Sequence, residues 1–376
     1  MTTVQADALV VGGGLAGIVT ALELLRAGKK VALVDRDTPE RLGGLALWAF
    51  GGMALVGTPL QARMRIPDTP ERALADWQRF GELDAHDHYP QQWARHYVEH
   101  SRTHVHDWLI REGVTFMPAV NWVERGMQGD GNSLPRYHIV WGTSRFMTQR
   151  LIAALRSAGD GGRLTLLHRH RVTGLEQQAG QITGATAVDE ATGADVHLQA
   201  PVVVLAMGGI NGGHAEARAN WPAERPCPAA MLNGAHPFAD GRLHHWAAEQ
   251  CGAQITHAGE MWNYAAGIPH PFPHFAGHGL SLIPCKSALW LDHTGRRRTD
   301  HRADPPHLLR LNRRDRHPHH LPRVVGRGSG RHDELHDASG VHGLRARDPG
   351  GARLHGVGAR LERHLRASPQ HELCDG

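Results

Sequence analysis

Cysteine and long apolar runs are scarce in this chain of 376 residues. Its four cysteines are widely spaced and include no Cys-x-x-Cys pair, so a disulfide framework is not predicted. No run of eighteen apolar residues occurs, and no transmembrane helix is expected. The stretch Met1–Ala8 is too short and too polar for an export signal, so we expect a reducing, cytoplasmic location.

Lysine is also nearly absent, since only 3 of the 41 basic residues are lysines. Residues 1–298 carry 27 basic and 27 acidic side chains and are therefore neutral. Residues 299–376 carry 14 arginines against 10 acids, so they supply the whole net charge of +4. Because the basic balance does not describe the main part of the chain, nucleic acid is not predicted as a partner.

The C-terminal segment, residues 299–376, contains no Phe, Trp, Tyr, Ile, Met or Lys, although these types fill 43 positions before it. Such a segment buries too little apolar surface to offset its ordering entropy. Its composition is typical of GC-rich codons, and we hypothesise a frameshift near Arg297–Asp300. A genuine basic, disordered tail and a His-rich metal site are the alternatives. Irregular histidine spacing disfavours the metal site, and no metal is predicted.

Residues 7–35, DALVVGGGLAGIVTALELLRAGKKVALVD, predict a strand, a helix and a second strand. Ala8–Val11 and Val31–Val34 are short apolar runs that suit buried parallel strands. Leu15–Arg26 has apolar residues at helical spacing, and Gly28 follows it in the usual stop position. This is a βαβ unit.

The rest of the chain continues the pattern of helices and strands. Residues 70–112 and two further segments, from about Phe146 to Ser157 and from about Gly241 to Gln250, predict helices. Residues 164–200 predict short strands with turns, and Pro201–Ala206 predicts a third buried strand that ends at a glycine pair.

A glycine pattern, Gly12-x-Gly14-x-x-Gly17, follows the first strand and opens the helix. The first glycine allows a tight turn, the second lets the backbone approach a pyrophosphate, and the third brings helix and strand together. Amides at the helix N-terminus favour phosphate. Asp35 ends the next strand, where its carboxylate could accept the ribose hydroxyls. The combination predicts a dinucleotide site but leaves FAD and NAD open.

A second glycine-rich loop follows, Gly43-Gly44-Leu-Ala-Leu-Trp-Ala-Phe-Gly51-Gly52. Its backbone could lie against a flavin ring or its phosphate bridge. An ordinary flexible loop is the alternative.

The chain resembles a known family in these and other motifs: VVGGGLAG, GGLALWAFGG, GNSLPRYHIVWGT, VVVLAMGGINGGH, ADGRLHHWAAEQCGA, EMWNYAAGI and ALWLDHTGRR. Over residues 5–298 it is similar to the flavoprotein group of succinate dehydrogenase and fumarate reductase. It resembles most the FAD-binding dehydrogenases similar to 3-ketosteroid Δ1-dehydrogenase. The family's Ala-Thr-Gly-Gly stands here as Ala206-Met207-Gly208-Gly209, which loses a hydroxyl but keeps the glycines.

The resemblance implies an α/β fold: a Rossmann-like FAD-binding domain with a parallel sheet and a β-meander, plus the start of an inserted substrate (cap) domain. We expect the FAD domain in residues 1–253, the start of the cap in 254–298 and the aberrant tail in 299–376. FAD is the expected cofactor. The residues expected to bind it are Gly12, Gly14, Leu15, Ala16, Gly17, Asp35, Arg36, Gly43, Gly44, Gly51, Gly52, Val172, Ala206, Gly208 and Gly209.

The resemblance also implies the chemistry: hydride moves between a carbon–carbon bond beside a ketone and flavin N5. A steroid-like or other apolar ketone is the expected substrate, and the electron acceptor stays open. Tyr264 and Tyr137 are the catalytic candidates, because a phenol can polarise a carbonyl or take a proton as phenolate. His138 and Trp141 are further candidates for the pocket wall, and core packing is the alternative for all of these side chains.

Four other histidines, His168, His170, His244 and His245, show neither metal spacing nor a nucleophile partner and are expected to be structural. The alternative to a working dehydrogenase is a truncated, inactive FAD-binding fragment.

Overall fold

A computed structural model describes residues 2–81, 83–121, 132–223, 227–261 and 267–281, and the backbone of residues 289–291 and 323–325. The chain divides into two compact units, Met1–Ser329 and Gly330–Gly376, and every described residue belongs to the first. The domain boundaries predicted at residues 253 and 298 stay predictions.

The described part of the chain alternates strands with helices. The strands are β1 (Thr2–Gln5), β2 (Ala8–Val11), β3 (Val31–Val34), β4 (Gly52–Ala54), β5 (Tyr137–Ile139), β6 (Leu164–Leu167), β7 (His170–Gln178), β8 (Gln181–Asp189), β9 (Asp195–Gln199), β10 (Val203–Leu205), β11 (Gly267–Pro269), β12 (Gly279–Ser281), β13 (Leu289–Leu291) and β14 (Arg323–Val325). The α-helices are α1 (Leu15–Arg26), α2 (Pro59–Arg63), α3 (Pro70–Phe80), α4 (His88–His100), α5 (Asp107–Arg111), α6 (Thr143–Ala158), α7 (His214–Ala219) and α8 (Arg242–Cys251).

A four-stranded parallel sheet with the order β10-β2-β3-β6 forms the centre of the fold. Strands β2 and β3 are buried along their whole length, and both have the predicted bounds. Helix α1 also has its predicted bounds and buries Ile18, Leu22 and Leu25 in the same core as Val10 and Leu33. The predicted βαβ unit and the α/β fold are therefore confirmed.

Strand β10 differs from the prediction of a third buried strand over Pro201–Ala206. It comprises only Val203–Leu205, and Leu205 is 38% exposed. The reason is its position at the edge of the sheet, where only β2 lies beside it. An apolar run alone does not distinguish an edge strand from a central one.

A second sheet, with the order β1-β9-β8-β7, contains the predicted β-meander. Strands β7, β8 and β9 pair antiparallel in sequence. Strand β1 joins this sheet by pairing parallel with β9, which the sequence did not predict. Three two-stranded pairs complete the strands described: β4–β5, β11–β12 and β13–β14.

Residues 70–112 are mainly helical, as predicted, with a π-helical segment at Ser101–His106 between α4 and α5. Helix α6 begins at Thr143, three residues before the predicted start, because Gly142 precedes it in the left-handed conformation (φ 85°) and turns the chain into the helix. Among the described residues no helix is both long and apolar enough to cross a membrane.

A buried ionic cluster holds β5 and α3 together. The guanidinium of Arg136, 5% exposed, lies 2.8 Å from an Asp68 oxygen and 2.6 Å from an Asp76 oxygen. Asp76 also accepts hydrogen bonds from the Ser133 amide and hydroxyl. Burial alone would raise the pKa of Asp76, but the bonds from Arg136 and Ser133 hold that pKa below its usual value. Asp76 is therefore ionised at neutral pH.

Replacing Arg136 with alanine should lower the free energy of unfolding by about 3–5 kcal/mol, because the buried Asp68 loses its countercharge and Asp76 keeps only its ion pair with Arg79. Denaturant unfolding measures the change. Arg95→Ala is the matched control, since Arg95 is 62% exposed and lies 3.9 Å from Glu99. That control should change stability by less than about 0.5 kcal/mol. Equal effects of the two substitutions would contradict the assigned role of Arg136.

His138 is fully buried beside this cluster. Its Nδ1 lies 2.7 Å from the Arg136 carbonyl oxygen, which can only accept, so Nδ1 carries the proton. Its Nε2 therefore accepts from the Thr58 hydroxyl at 2.7 Å. Burial lowers the pKa of His138 from 6.5 to about 4, and the nearby His106 acts in the same direction. The side chain is neutral in the folded protein.

Stability should therefore depend on pH through His138. Between pH 6.5 and about pH 4 the unfolded chain is protonated at this histidine and the folded chain is not. The free energy of unfolding therefore decreases as the pH is lowered from 6.5 to about 4. The total decrease in the free energy of unfolding that His138 causes is on the order of 3 kcal/mol. As the pH is lowered through this range, the free energy of unfolding should decrease less steeply for His138→Gln than for the wild type. A surface control, His86→Gln, should keep the wild-type slope, and parallel curves for all three proteins would disprove the effect.

Candidate cofactor-binding site

The predicted glycine turn joins β2 to α1 through two close backbone contacts. Gly12 has a φ of +106°, and a Cβ there would collide with the Ala206 carbonyl. A Cβ on Gly17 would collide with the Gly12 carbonyl. Helix α1, β2 and the end of β10 can therefore meet only with glycine at both positions.

Gly14 differs from these two glycines because its Cβ position faces open space, with no atom within 4 Å. Gly14 is also the N-cap of α1, which has no side-chain cap and no acidic residue in its first turn. Amides in the first turn, at Leu15 and Ala16, are thus left for a ligand. Open space, unpaired donors and the positive end of a helix dipole fit a pyrophosphate.

Asp35 lies at this turn, as predicted. Its carboxylate accepts hydrogen bonds from the amides of Gly13 and Asp37. An ionised carboxylate has about four acceptor positions, so two positions are left for ribose hydroxyls. The side chain is half-buried, which leaves it open to a ligand from one side.

Arg36 has a different environment from the one expected of a cofactor ligand. Its guanidinium lies 3.0 Å from Glu190 and 3.2 Å from Asp240, and 4.4 Å over the ring of Phe238. These contacts tie the end of β3 to residues after β8 and before α8. With two carboxylates beside it, the side chain has little positive charge to offer a phosphate.

The two glycine pairs of the second loop have separate environments. The first approaches the turn: the Gly43 amide donates to the Gly13 carbonyl at 2.8 Å, and a Cβ on Gly44 would lie 3.7 Å from the Gly14 Cα. The second pair packs elsewhere. A Cβ on Gly51 would meet the Ser144 amide at 2.6 Å, and one on Gly52 would strike the Tyr137 ring.

The remaining predicted cofactor residues lie just after β10 and within β7. Ala206 donates from its amide to the Val11 carbonyl at 2.7 Å. Gly208 (φ +78°) and Gly209 both have open space at their Cβ positions. Val172 lies in β7 at a β-bulge and is half-buried against the apolar cluster that includes Leu9, Ala185 and Leu198.

The structure separates the candidate substrate residues. Tyr137 is half-buried, packs on Gly52 and stacks on Phe50, with ring centroids 6.3 Å apart. Its neighbour His138 belongs to the core, whereas Trp141 is 52% exposed. Tyr264 lies outside the described residues. The catalytic roles of both tyrosines stay predictions.

Among the histidines expected to be structural, two have backbone partners. His170 Nδ1 lies 2.6 Å from the His168 carbonyl oxygen, and His244 Nε2 lies 3.2 Å from that of Gly208. In the part of the chain that is described, no group of three or more His, Cys, Asp or Glu side chains could hold a metal ion.

Sequence reasoning missed Asp37, Trp48 and the unusual position of His168. Asp37 is buried and lies 3.1 Å from His236 Nε2. Burial alone would raise the pKa of Asp37, but hydrogen bonds from His236 and the Thr38 amide keep it below its usual value. Trp48 Nε1 and His168 Nδ1 are buried without a partner among the described residues. A tryptophan between two glycine pairs was the available signal for Trp48.

Comparison with known families gives a match over residues 7–342 to a family described as FAD binding domain. The chain belongs to this FAD-binding family. FAD is its cofactor, and the turn described above fits the pyrophosphate of FAD. The match continues past Arg298, so it does not favour the alternative of an inactive fragment.

Relatives of known name agree with the predicted resemblance. The KsdD-like steroid dehydrogenase of Mycobacterium tuberculosis is 38% identical over 310 residues, which cover 78% of this chain and 54% of that protein. The chain thus spans about half the length of this relative. Among solved structures, 3-ketosteroid Δ1-dehydrogenase of Sterolibacterium denitrificans (TM-score 0.60, 15% identical, 78% of this chain and 63% of that one) shares the fold. So does 3-ketosteroid-Δ4-(5α)-dehydrogenase of Rhodococcus jostii (TM-score 0.56, 24% identical, 68% and 55%).

Gly14→Ala tests the placement of the pyrophosphate. Because the Cβ position is open and the φ of −74° is ordinary, the substitution should change the free energy of unfolding by less than about 1 kcal/mol. The added methyl group would occupy the space beside the phosphates, so FAD affinity should fall roughly tenfold or more. Titration of FAD into both proteins measures the difference.

Gly234→Ala is the control, since that glycine also has open space at its Cβ position and an ordinary φ. It should leave both stability and FAD affinity unchanged. If Gly14→Ala binds FAD as tightly as the wild type, the pyrophosphate does not lie at this turn.

Proposed function

We propose that this chain is the FAD-binding part of a dehydrogenase that moves hydride between a carbon–carbon bond beside a ketone and flavin N5. The observation that carries the proposal is the turn at Gly14: an open Cβ position and an uncapped helix N-terminus beside a carboxylate. The 38% identity to a KsdD-like steroid dehydrogenase supports the reaction class. FAD supplies the two-electron chemistry when it is bound.

The chain's own residues would bind and orient FAD. The amides of Leu15 and Ala16 would donate to the pyrophosphate, and Asp35 would accept from the ribose with the acceptor positions that Gly13 and Asp37 leave. Backbone groups near Val172 would hold the adenine end, as the family resemblance implies. Arg36 acts indirectly, because its ion pairs fix the strand end that carries Asp35.

A steroid-like or other apolar ketone is the substrate that we propose. Its support is the similarity to a KsdD-like steroid dehydrogenase and the fold shared with two ketosteroid dehydrogenases. We propose Tyr137 as a side chain that acts on it, and the support is that its ring packs against Gly52 and Phe50 at the end of the loop Gly43–Gly52. A phenol there would donate a hydrogen bond to the ketone oxygen or, as phenolate, take a proton from the carbon beside it. Tyr264 is the second candidate for this role.

Anaerobic mixing of the FAD-loaded protein with a 3-ketosteroid tests the reaction. We expect the flavin absorbance to bleach, because hydride transfer reduces the flavin. Replacing the catalytic tyrosine, by Tyr137→Phe or Tyr264→Phe, should slow the bleaching by about 10²–10⁴. FAD affinity should stay unchanged in both variants.

Tyr89→Phe, at a side chain that is 67% exposed, is the matched control and should bleach at the wild-type rate. A protein that binds FAD stoichiometrically yet is bleached by no ketosteroid would refute the proposed substrate class. Wild-type rates in both tyrosine variants would refute the tyrosine roles alone.

A further inference from the structure

The hairpin formed by β11 and β12 carries three histidines at its tip. His270, His274 and His278 lie close together, and the rings of His270 and His278 stack face to face, with centroids 4.3 Å apart and planes at 5°. His278 is buried, with 5% of its surface exposed. Two imidazoles can pack in this way while they are neutral, whereas two imidazolium ions at this distance repel each other.

Both stacked rings accept a backbone hydrogen bond at Nδ1. The Phe272 amide donates to His270 at 3.0 Å, and the His274 amide donates to His278 at 3.3 Å. A ring nitrogen that accepts from an amide carries no proton, so each neutral ring holds its proton on Nε2. Protonation would place a second N–H on Nδ1, directly opposite the amide N–H, and the bond would be lost.

The tip of the hairpin is attached to the rest of the structure at two places. Asn233 exchanges two backbone hydrogen bonds with it, of 3.0 and 2.8 Å. On the other side, His274 stacks on Trp48, with centroids 4.8 Å apart and planes at 20°, and its carbonyl accepts from the Arg41 guanidinium. Because the His274 amide is bonded to His278, protonation of His278 would disturb the position of His274 on the indole.

The charges around the tip oppose protonation. Burial lowers the pKa of His278 from 6.5 to about 4, and His270 and His274 act in the same direction. Burial also lowers the pKa of His274, together with His270, Arg41 and Arg145. These neighbours are cations or become cations in acid. The closed hairpin therefore takes up a proton at His278 only at a lower pH than an open hairpin would.

The two rings that face Trp48 are less sensitive to pH than the stacked pair. A cation over an indole face is attracted by the ring, which offsets part of the repulsion at His274. His236, the second ring that stacks on Trp48, lies 3.1 Å from the Asp37 carboxylate, which can balance a proton there. Asp37 also lies 3.9 Å from Arg41. The stacked pair therefore carries the pH response.

We propose that His270 and His278 form a pH-sensitive pair that holds the hairpin tip on Trp48 while both rings are neutral and releases it when they are protonated. Each proton enters at Nδ1, breaks one backbone bond and adds charge to a stacked ring. Trp48 belongs to the loop Gly43–Gly52, so acid would free this loop from the hairpin. The inference rests on these contacts alone and needs neither FAD nor the proposed reaction.

Hydrogen exchange followed by mass spectrometry measures the opening. An open hairpin binds a proton at His278 below pH 6.5 and the closed one only below about pH 4, so the open fraction rises as the pH is lowered between these values. After correction for the intrinsic pH dependence of exchange, protection of the amides in residues 267–281 should fall by up to about 300-fold, the factor that corresponds to this shift.

His278→Asn separates the proton from the hydrogen bond. The side-chain oxygen of asparagine can accept from the His274 amide in place of Nδ1 but does not titrate in this range. Hairpin protection should therefore stay nearly constant with pH in this variant, whereas protection of α1 should change equally in both proteins. His86→Asn, at an exposed histidine, is the control and should keep the wild-type profile. Equal hairpin profiles for the wild type and His278→Asn would overturn the proposal.

Imidazole ¹⁵N resonances of the intact wild-type protein give a second measurement, which does not depend on a variant's folding beyond the assignment. At pH 7 both His270 and His278 should show the neutral form with the proton on Nε2. A proton on Nδ1 of either ring, or protonation of His278 at its ordinary pKa of 6.5 without any loss of hairpin protection, would each refute the proposed role of the pair.

Discussion

The main-chain groups of Gly13 connect the elements of the cofactor site. Its amide donates to the Asp35 carboxylate, which fixes the end of β3 against the turn. Its carbonyl accepts from the Gly43 amide, which brings the second glycine loop to the same place. A bond to an ionised acceptor is stronger than one between neutral groups. One residue without a side chain thus sets the distance between the carboxylate, the helix N-terminus and the loop.

Steric exclusion adds to these bonds. Because the Ala206 carbonyl and the Gly12 carbonyl occupy the Cβ positions of Gly12 and Gly17, helix α1 lies close to the carboxyl ends of β2 and β10. Gly14, between them, keeps its Cβ position empty. The two outer glycines therefore serve the packing of the protein, and the middle one leaves open space beside the helix N-terminus. In open α/β sheets, ligands bind outside the carboxyl ends of the strands, which is where this turn lies.

The sequence predicted the parts of the fold that depend on local patterns. Strands β2 and β3 and helix α1 match their predicted bounds because apolar spacing and a stop glycine determine them. Strand β1 was missed, because its exposed residues carry no alternation and its partner β9 lies nearly 200 residues away.

The same division applies to the cofactor site. The turn that brings the glycines beside Asp35 was predictable, since each position has a local conformational reason, whereas their roles toward the cofactor stay predictions. The ion pairs of Arg36 were not predictable, because its partner Glu190 lies 154 residues farther along the chain.

The place of Tyr137 beside the glycine loop follows from its two sequence neighbours. Side chains alternate between the faces of a strand, so residues on either side of Tyr137 point away from it. Both neighbours are buried polar groups with specific partners: Arg136 pairs with Asp68 and Asp76, and His138 bonds to Thr58. A shift of β5 by one residue would bury the phenol and expose the ionic cluster, at a large cost in free energy. The buried charges thus fix the register that holds the Tyr137 ring against Gly52.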